Sequence, residues 1–258
     1  MDSDAFAFLA SNSVRGIEVA PTRVWPNWQG MSSGSVRGLK RMLESAGLAV
    51  CSLQAILFQK PDLRLFGSEQ DRQGMHDHLC RCADLAAELG ASCLVFGAPK
   101  NRDRGSLPEE EAFRIAVEFF GKVGEQFARR GECLGFEGNP PEYECNFATE
   151  SRTAARLVRS VGSTGFRLHL DTACLQLAGE DAVRAIEDNI DILQHFHVSE
   201  PYLSAFSAPA ASHARISGAL RNAHYAGWVA LEMRAGEPPL PALEAATRFL
   251  GRTYGDGN

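Results

Sequence analysis

The chain has 258 residues, of which 45% are hydrophobic and 22% are charged, and its formal net charge is -6. This composition is typical of a globular protein with a sizeable core, and the acidic balance argues against nucleic-acid or anionic-membrane partners. The seven cysteines form no CxxC pair, the amino terminus lacks the basic residues of a secretory signal, and no apolar run reaches the ~20 residues of a spanning helix. We therefore expect a reduced protein in the cytoplasm.

Strand and helix patterns alternate along the chain. The spacing predicts an opening helix over 4–12, after which strands and helices follow one another to the end. Gly90 is placed to end one long helix, and Ser106 with Glu109 forms the S-x-x-E pattern of a helix start. The predicted strands cover residues 15–21, 48–57, 92–100, 133–140, 166–174, 194–201 and 227–233. The predicted helices after the first cover residues 32–47, 68–91, 106–131, 149–163, 181–193, 214–225 and 241–250.

Regular β–α alternation without a linker predicts a parallel sheet covered by helices, in one domain over residues 1–258. The sequence has neither a G-x-G-x-x-G turn nor a Walker-type phosphate loop, so a TIM-type (β/α)8 barrel is favoured over a doubly wound sheet. Only seven strands are readable, and the first strand of the barrel is missing. Either residues before Met1 supply it, which we favour, or the barrel has an open seam that a terminal segment or another subunit covers.

Four consecutive strands carry an ionisable residue on the same face. In the strand over 194–201, Phe196 and Val198 share one face, so His197 points to the other. The apolar face of a barrel strand packs on the helices, and the ionisable residue therefore points inward. The carboxyl ends of such strands form the catalytic face of this architecture. The inward groups at these ends are Glu137, Asp171, His197 and Glu232.

Three carboxylates and an imidazole at one mouth would repel one another and raise their own pKa values unless a cation neutralised them. The sequence therefore predicts a divalent metal ion at this point. Oxygen donors with one nitrogen favour Mn²⁺, Co²⁺ or Mg²⁺, with Zn²⁺ as an alternative. His169 and His195 are predicted to lie one layer below the ligands as supporting groups.

The segments FEGNP, LHLDTAC, HFHVSEP and ALEM, which contain these residues, resemble the xylose isomerase-like TIM barrels from about Gly16 onward. That superfamily includes sugar and sugar-phosphate isomerases and epimerases, inosose and dehydroshikimate dehydratases, and endonuclease IV. The resemblance implies one divalent ion, Mn²⁺ foremost, with Glu137 and Glu232 as both metal ligands and proton shuttles. Cys174 stands where many relatives carry a histidine, which argues against a three-metal nuclease.

Four further residues are candidates for substrate binding. Lys100 follows a strand at the same mouth and suits an anionic group, although a solvated loop is an equal alternative. Glu200 is placed to bond a substrate hydroxyl or to hold its loop, and His213 to contact substrate or to neighbour a helix start. Trp25 follows another strand and suits either a sugar pocket or local packing.

The function that these patterns favour is a metal-dependent isomerase or epimerase of a sugar, a sugar phosphate or a related keto-polyol, acting through a metal-stabilised enediolate. The first proton abstraction is shared with dehydration, so a metal-dependent dehydratase is an alternative. A non-catalytic sugar-binding barrel is the other. The expected partner is a small carbohydrate, with a homo-oligomer as one way of covering the seam.

Overall fold

The computed structural model describes residues 3–255, so the ends of the predicted 1–258 domain, residues 1–2 and 256–258, lie outside the described residues. Strands and helices alternate as the sequence predicts. The strands are β1 (Gly16–Val19), β2 (Ala49–Leu53), β3 (Cys93–Phe96), β4 (Cys133–Glu137), β5 (Phe166–Asp171), β6 (Leu193–Val198) and β7 (Trp228–Leu231). The helices are α1 (Ser3–Ser11), α2 (Pro21–Val24), α3 (Ser33–Ser45), α4 (Glu69–Leu89), α5 (Glu109–Arg130), α6 (Ser151–Val161), α7 (Thr172–Leu177), α8 (Ala182–Glu187), α9 (His213–Asn222) and α10 (Pro239–Tyr254).

The seven strands form one parallel sheet in the order β1 to β7, which curls into a nearly closed barrel with helices between the strands. The predicted TIM-type architecture with seven strands is confirmed. Within residues 3–255 no strand ladder joins β1 to β7, so the barrel has a seam between them. The ring of Trp228 packs across this seam, because a Cβ on Gly16 would lie 3.1 Å from it.

The core lies between the outer face of the sheet and the helices. Its centre is an aromatic cluster in which Phe120 of α5 stacks on Phe166 of β5 at 4.5 Å and meets Phe96 and Phe136 edge-on at 5.3 Å. All four rings are fully buried. Alternation then turns the neighbouring residues of these strands toward the barrel axis. Across the described helices, none combines the length and apolarity that crossing a bilayer requires.

Several helix termini differ from the sequence patterns, and residues 172–174, predicted as the end of a strand, begin helix α7. The S-x-x-E pattern at Ser106 does not cap a helix: α5 begins at Glu109 after Pro108, without a side-chain cap. The proline ring disfavours helical geometry at the preceding residue, which explains the later start. The helix predicted over 181–193 ends at Glu187. Gly90 ends α4 in the left-handed conformation with φ 87°, as the pattern predicts.

Candidate metal centre and active site

The barrel brings together the four ionisable residues at the strand ends. Glu137 and Asp171 are the last residues of β4 and β5, His197 is the second-last of β6, and Glu232 follows β7 directly. The Cα atoms of Asp171 and His197 are register partners in neighbouring strands. Glu137, Asp171 and His197 are each less than 9% exposed, whereas the side chain of Glu232 is 25% exposed and so reaches the solvent side of the group.

The potential ligand atoms converge on one point. Glu137, Asp171 and His197 each offer one such atom, and the three atoms lie within 4.8 Å of one another. The Nδ1 atom of His197 is 3.4 Å from an oxygen of Glu232 and 3.9 Å from an oxygen of Asp171. All four side chains thus border one small volume.

Asp171 is held by two hydrogen bonds. Its Oδ1 atom accepts from the backbone N–H of Cys174 at 2.7 Å and so caps α7, while Oδ2 accepts from the Ser199 hydroxyl at 2.6 Å. Burial raises the pKa of the Asp171 carboxyl, and the nearby charge of Glu137 raises it further. A buried carboxylate whose proton affinity is raised by a neighbouring carboxylate marks a site that favours a cation.

Glu137 is fixed by a chain of polar contacts that ends on a buried guanidinium. Asn139 donates to Glu137 Oε2 at 2.8 Å and accepts from Arg102 Nη2 at 2.7 Å. The Arg102 side chain is 0% exposed and lies 4.7 Å from the centre of the Phe136 ring, a cation–π contact. Sequence reasoning missed this network of contacts.

Glu18 of β1 belongs to the centre and was also missed. Its carboxylate is buried, accepts a hydrogen bond from the Ser52 hydroxyl, and lies 2.9 Å from Nε2 of His195 and 3.0 Å from Nε2 of His197. Burial alone would raise the pKa of Glu18, but the two imidazoles hold it well below its ordinary value. The alternation of side chains in GIEVAP could have identified Glu18, because Ile17 and Val19 pack outward and leave Glu18 pointing inward.

His169 and His195, which were predicted to lie one layer below the ligands, support this arrangement. His169 and His195 are both 0% exposed, and the rings of His169 and His197 meet edge-on at 4.2 Å. His169 Nε2 is 3.5 Å from Glu137 Oε1. Burial lowers the pKa of His169 well below its ordinary value, and the neighbouring imidazoles of His197 and His195 lower it further. A neutral ring beside the carboxylate fits the predicted supporting position.

The donor set fits a divalent metal ion. His197 Nδ1 is buried and has no hydrogen-bond partner among the described residues, although it faces oxygens of Asp171 and Glu232. A buried nitrogen without a partner is costly in a folded protein unless a ligand uses its lone pair. One imidazole nitrogen with carboxylate oxygens is a donor set that Mn²⁺, Co²⁺ and Zn²⁺ accept.

Two residues that were predicted to contact the substrate, Lys100 and Trp25, contact other protein residues instead. The Lys100 side chain is 80% exposed and its Nζ atom lies 2.9 Å from Glu144 in a neighbouring loop. The Trp25 side chain is buried, and its indole N–H donates to Ser35 of α3 at 3.1 Å. Trp25 therefore packs in the core between α2 and α3, and Lys100 keeps solvent access.

Glu200 and His213 contact each other. His213 Nε2 is 2.6 Å from Glu200 Oε1, and His213 Nδ1 is 2.7 Å from the Tyr254 hydroxyl of α10. Glu200 also accepts from the backbone N–H groups of Ala210 and Ala211. This chain ties the loop after β6 to α9 and α10, which accounts for both side chains; their substrate role stays a prediction.

An aromatic pair that the sequence reasoning missed borders the same mouth. The Tyr143 hydroxyl accepts from the backbone N–H of Tyr202 at 3.0 Å, and the two rings meet edge-on at 6.0 Å. Burial raises the pKa of Tyr143 to about 12, with contributions from Cys174, Asp171 and Glu137. Tyr143 lies in the loop after β4 and Tyr202 in the loop after β6, so both are at the carboxyl end of the barrel. Tyr202 is 54% exposed and forms the outer side of the pair.

Solved structures share this fold. D-psicose 3-epimerase, solved in the presence of D-fructose, superposes with a TM-score of 0.83 at 16% identity, covering 98% of this chain and 94% of that chain. The 3-keto-D-glucoside 4-epimerase of E. coli gives 0.77 at 16% identity, with 97% and 94% covered. A family 2 AP endonuclease of Brucella melitensis gives 0.78 at 16% identity, with 97% and 92% covered.

Sequence comparison gives the family directly. No curated protein sequence matches the chain significantly. The sequence profile of the xylose isomerase-like TIM barrels matches residues 6–253, which is nearly the whole chain. The chain therefore belongs to the xylose isomerase-like TIM barrel family.

Proposed function

We propose that this protein is a divalent-metal-dependent isomerase or epimerase of a sugar, a sugar phosphate or a related keto-polyol. The observation that carries the proposal is the convergence of Glu137, Asp171 and His197, with Glu232 beside them, at the carboxyl end of the barrel. The similarity in fold to a D-psicose 3-epimerase and a 3-keto-D-glucoside 4-epimerase supports it.

These four residues would hold the ion, for which we propose Mn²⁺, with Co²⁺, Mg²⁺ and Zn²⁺ as alternatives. When bound, a divalent ion supplies positive charge next to a substrate carbonyl oxygen and so favours loss of a proton from the neighbouring carbon. Asp171 has both oxygens in hydrogen bonds to the protein, which suits a ligand and leaves little capacity for proton transfer.

Glu137 and Glu232 are the proposed proton shuttles. They come from the strand ends on either side of β5 and β6, so their carboxylates reach a bound sugar from different directions. One carboxylate takes the proton from carbon, and the other delivers a proton to the same carbon from the opposite face or to its neighbour. Asn139 holds Glu137 in place, whereas Glu232 is partly exposed, so solvent water reaches its carboxylate.

The binding partner, the covering of the seam and the cellular location are further proposals. A small carbohydrate is the proposed partner, and a second copy of the chain is one way to cover the seam between β1 and β7. A cytoplasmic location agrees with the seven cysteines, all of which are free thiols.

Deuterium exchange tests the proposed reaction. The protein, with Mn²⁺ in D₂O, is incubated with a panel of ketoses, their phosphates and inosose, and products are analysed by mass spectrometry and NMR. We expect deuterium at one carbon of one substrate and its isomer or epimer. A conjugated enone that absorbs in the ultraviolet would instead indicate the dehydratase, and binding without exchange a sugar-binding barrel. Glu232→Gln removes one shuttle, so wild-type turnover by that variant contradicts the roles assigned.

A further inference from the structure

Glu18 makes contacts that the proposed proton transfer does not use. The residue lies on β1 at one edge of the seam, yet its carboxylate reaches through the barrel interior to two histidines of β6. Its side chain is 8% exposed. Burying a carboxylate is costly unless charged or polar partners compensate, and the two histidines and Ser52 are the partners that compensate here.

The two ring nitrogens of His197 have different surroundings. Nε2 is 3.0 Å from Glu18, while Nδ1 faces Glu232 at 3.4 Å and Asp171 at 3.9 Å. An ionised carboxylate only accepts hydrogen bonds, so the contact with Glu18 requires a proton on Nε2. The lone pair of the neutral ring then lies on Nδ1, on the side of the carboxylate cluster.

Glu18 is itself held in a fixed orientation. The Ser52 hydroxyl donates to it, and His195 Nε2 lies 2.9 Å from the same oxygen that contacts His197. The ring of His169, 4.2 Å from that of His197, restricts rotation of the His197 ring. We infer that Glu18 is a positioning residue: by fixing the proton of His197 on Nε2, it presents Nδ1 to the metal ion. This inference rests on the proposed function only in taking that ion as the group that Nδ1 binds.

The contact has a second consequence for the barrel. Because β1 and β7 are not joined by a ladder, the bonds from Glu18 to β6 link the two sides of the seam from the inside. The position of His197 therefore depends on closure of the seam. Removal of a carboxylate that orients a metal-bound histidine lowers metal affinity by roughly 10- to 100-fold in other metalloproteins, and we expect a loss of that size here.

Metal affinity of three variants provides one test. Glu18→Gln keeps the shape of the side chain and removes its charge, and Glu18→Ala removes the contact. Glu132→Gln is the control, because Glu132 is also buried but precedes β4 at the amino end of the barrel. We expect Mn²⁺ affinity, measured by electron paramagnetic resonance, to fall by roughly 10- to 100-fold in the two Glu18 variants and to stay unchanged in the control. Wild-type affinity in folded Glu18→Ala, which has no acceptor for the Nε2 proton, overturns the inference.

Histidine ¹⁵N spectra of the metal-free wild-type protein provide a second test that needs no variant and no substrate. We expect the neutral ring of His197 to carry its proton on Nε2 and none on Nδ1. A neutral ring protonated on Nδ1 overturns the inference. If Nε2 stays protonated but the wild-type protein binds no divalent metal, the proposed function fails and the role of Glu18 in fixing the proton stands.

Discussion

Replacement of Gly97 by alanine tests whether the position of the Glu137 carboxylate controls the chemistry. Gly97 follows β3, and a Cβ atom added there would lie 1.9 Å from Glu137 Oε2. Real Cβ atoms do not approach other heavy atoms closer than 3.0 Å, so the carboxylate has to retreat by about 1 Å or more. The retreat also breaks the 2.8 Å hydrogen bond from Asn139.

A displacement of about 1 Å at a reacting group costs roughly 100-fold in rate, or about 2.7 kcal/mol of transition-state stabilisation. We therefore expect kcat of Gly97→Ala to fall by about that factor on the substrate found by deuterium exchange. Mn²⁺ affinity, measured by electron paramagnetic resonance, falls as well, because Glu137 is a proposed ligand. The fold is retained, since the clash is with a side chain and the backbone at Gly97 is not left-handed.

Gly218→Ala is the matched control. Gly218 lies in α9, and a Cβ there has no atom within 4 Å. Alanine is the better helix former by about 0.8–1.0 kcal/mol, so this variant is expected to be slightly more stable and fully active. If Gly97→Ala folds and matches wild type in both kcat and Mn²⁺ affinity, the position of Glu137 does not limit the reaction and the proposed role of this carboxylate is wrong.

Three further predictions concern stability. Phe120→Ala removes the centre of the aromatic cluster and is expected to cost about 3–5 kcal/mol in urea unfolding; a loss under 1 kcal/mol would contradict the packing described. Burial raises the pKa of Glu132 to about 7, and neither of its oxygens has a hydrogen-bond partner among the described residues, so its ionisation destabilises the fold as pH rises from about 5 to 8. Glu132→Gln should therefore exceed wild type in its free energy of unfolding at pH 8, by on the order of 1 kcal/mol, and lose that advantage at pH 5; an equal difference at both pH values refutes the assignment. Glu200→Ala leaves Nε2 of His213 and two backbone N–H groups unpaired and is expected to cost about 3–5 kcal/mol, whereas a change confined to KM would indicate substrate contact instead.

Local periodicity explains why much of the centre could be predicted. Side chains alternate along any strand, so an apolar residue that packs outward fixes the direction of its neighbour. Parallel strands joined by helices place their carboxyl ends on one side of the sheet. These two rules were enough to select Glu137, Asp171, His197 and Glu232, which the structure brings together. The alternation of strand and helix patterns along the chain predicted the seven strands.

The contacts that hold those groups in place depend on distances between remote parts of the chain. Glu18 meets His195 across 177 residues of sequence, and Arg102 reaches Asn139 from another loop. Alternation gives the direction of a side chain but not its partner. Trp25 shows the same limit, because its indole is at a strand end in the sequence yet lies in the core against α3.

The amino-acid sequence by itself determined the order of the elements, the barrel, and which side chains point to its axis, because each follows from a repeat of two or about 3.6 residues within one segment. Only the tertiary structure decided that Nε2 of His197 faces Glu18 and that Nδ1 faces Asp171 and Glu232. It also decided that Glu200 and His213 bind each other and that Trp228 packs across the seam. These are outcomes of barrel closure. They depend on distances between segments that are far apart in the chain, and no local pattern contains that information.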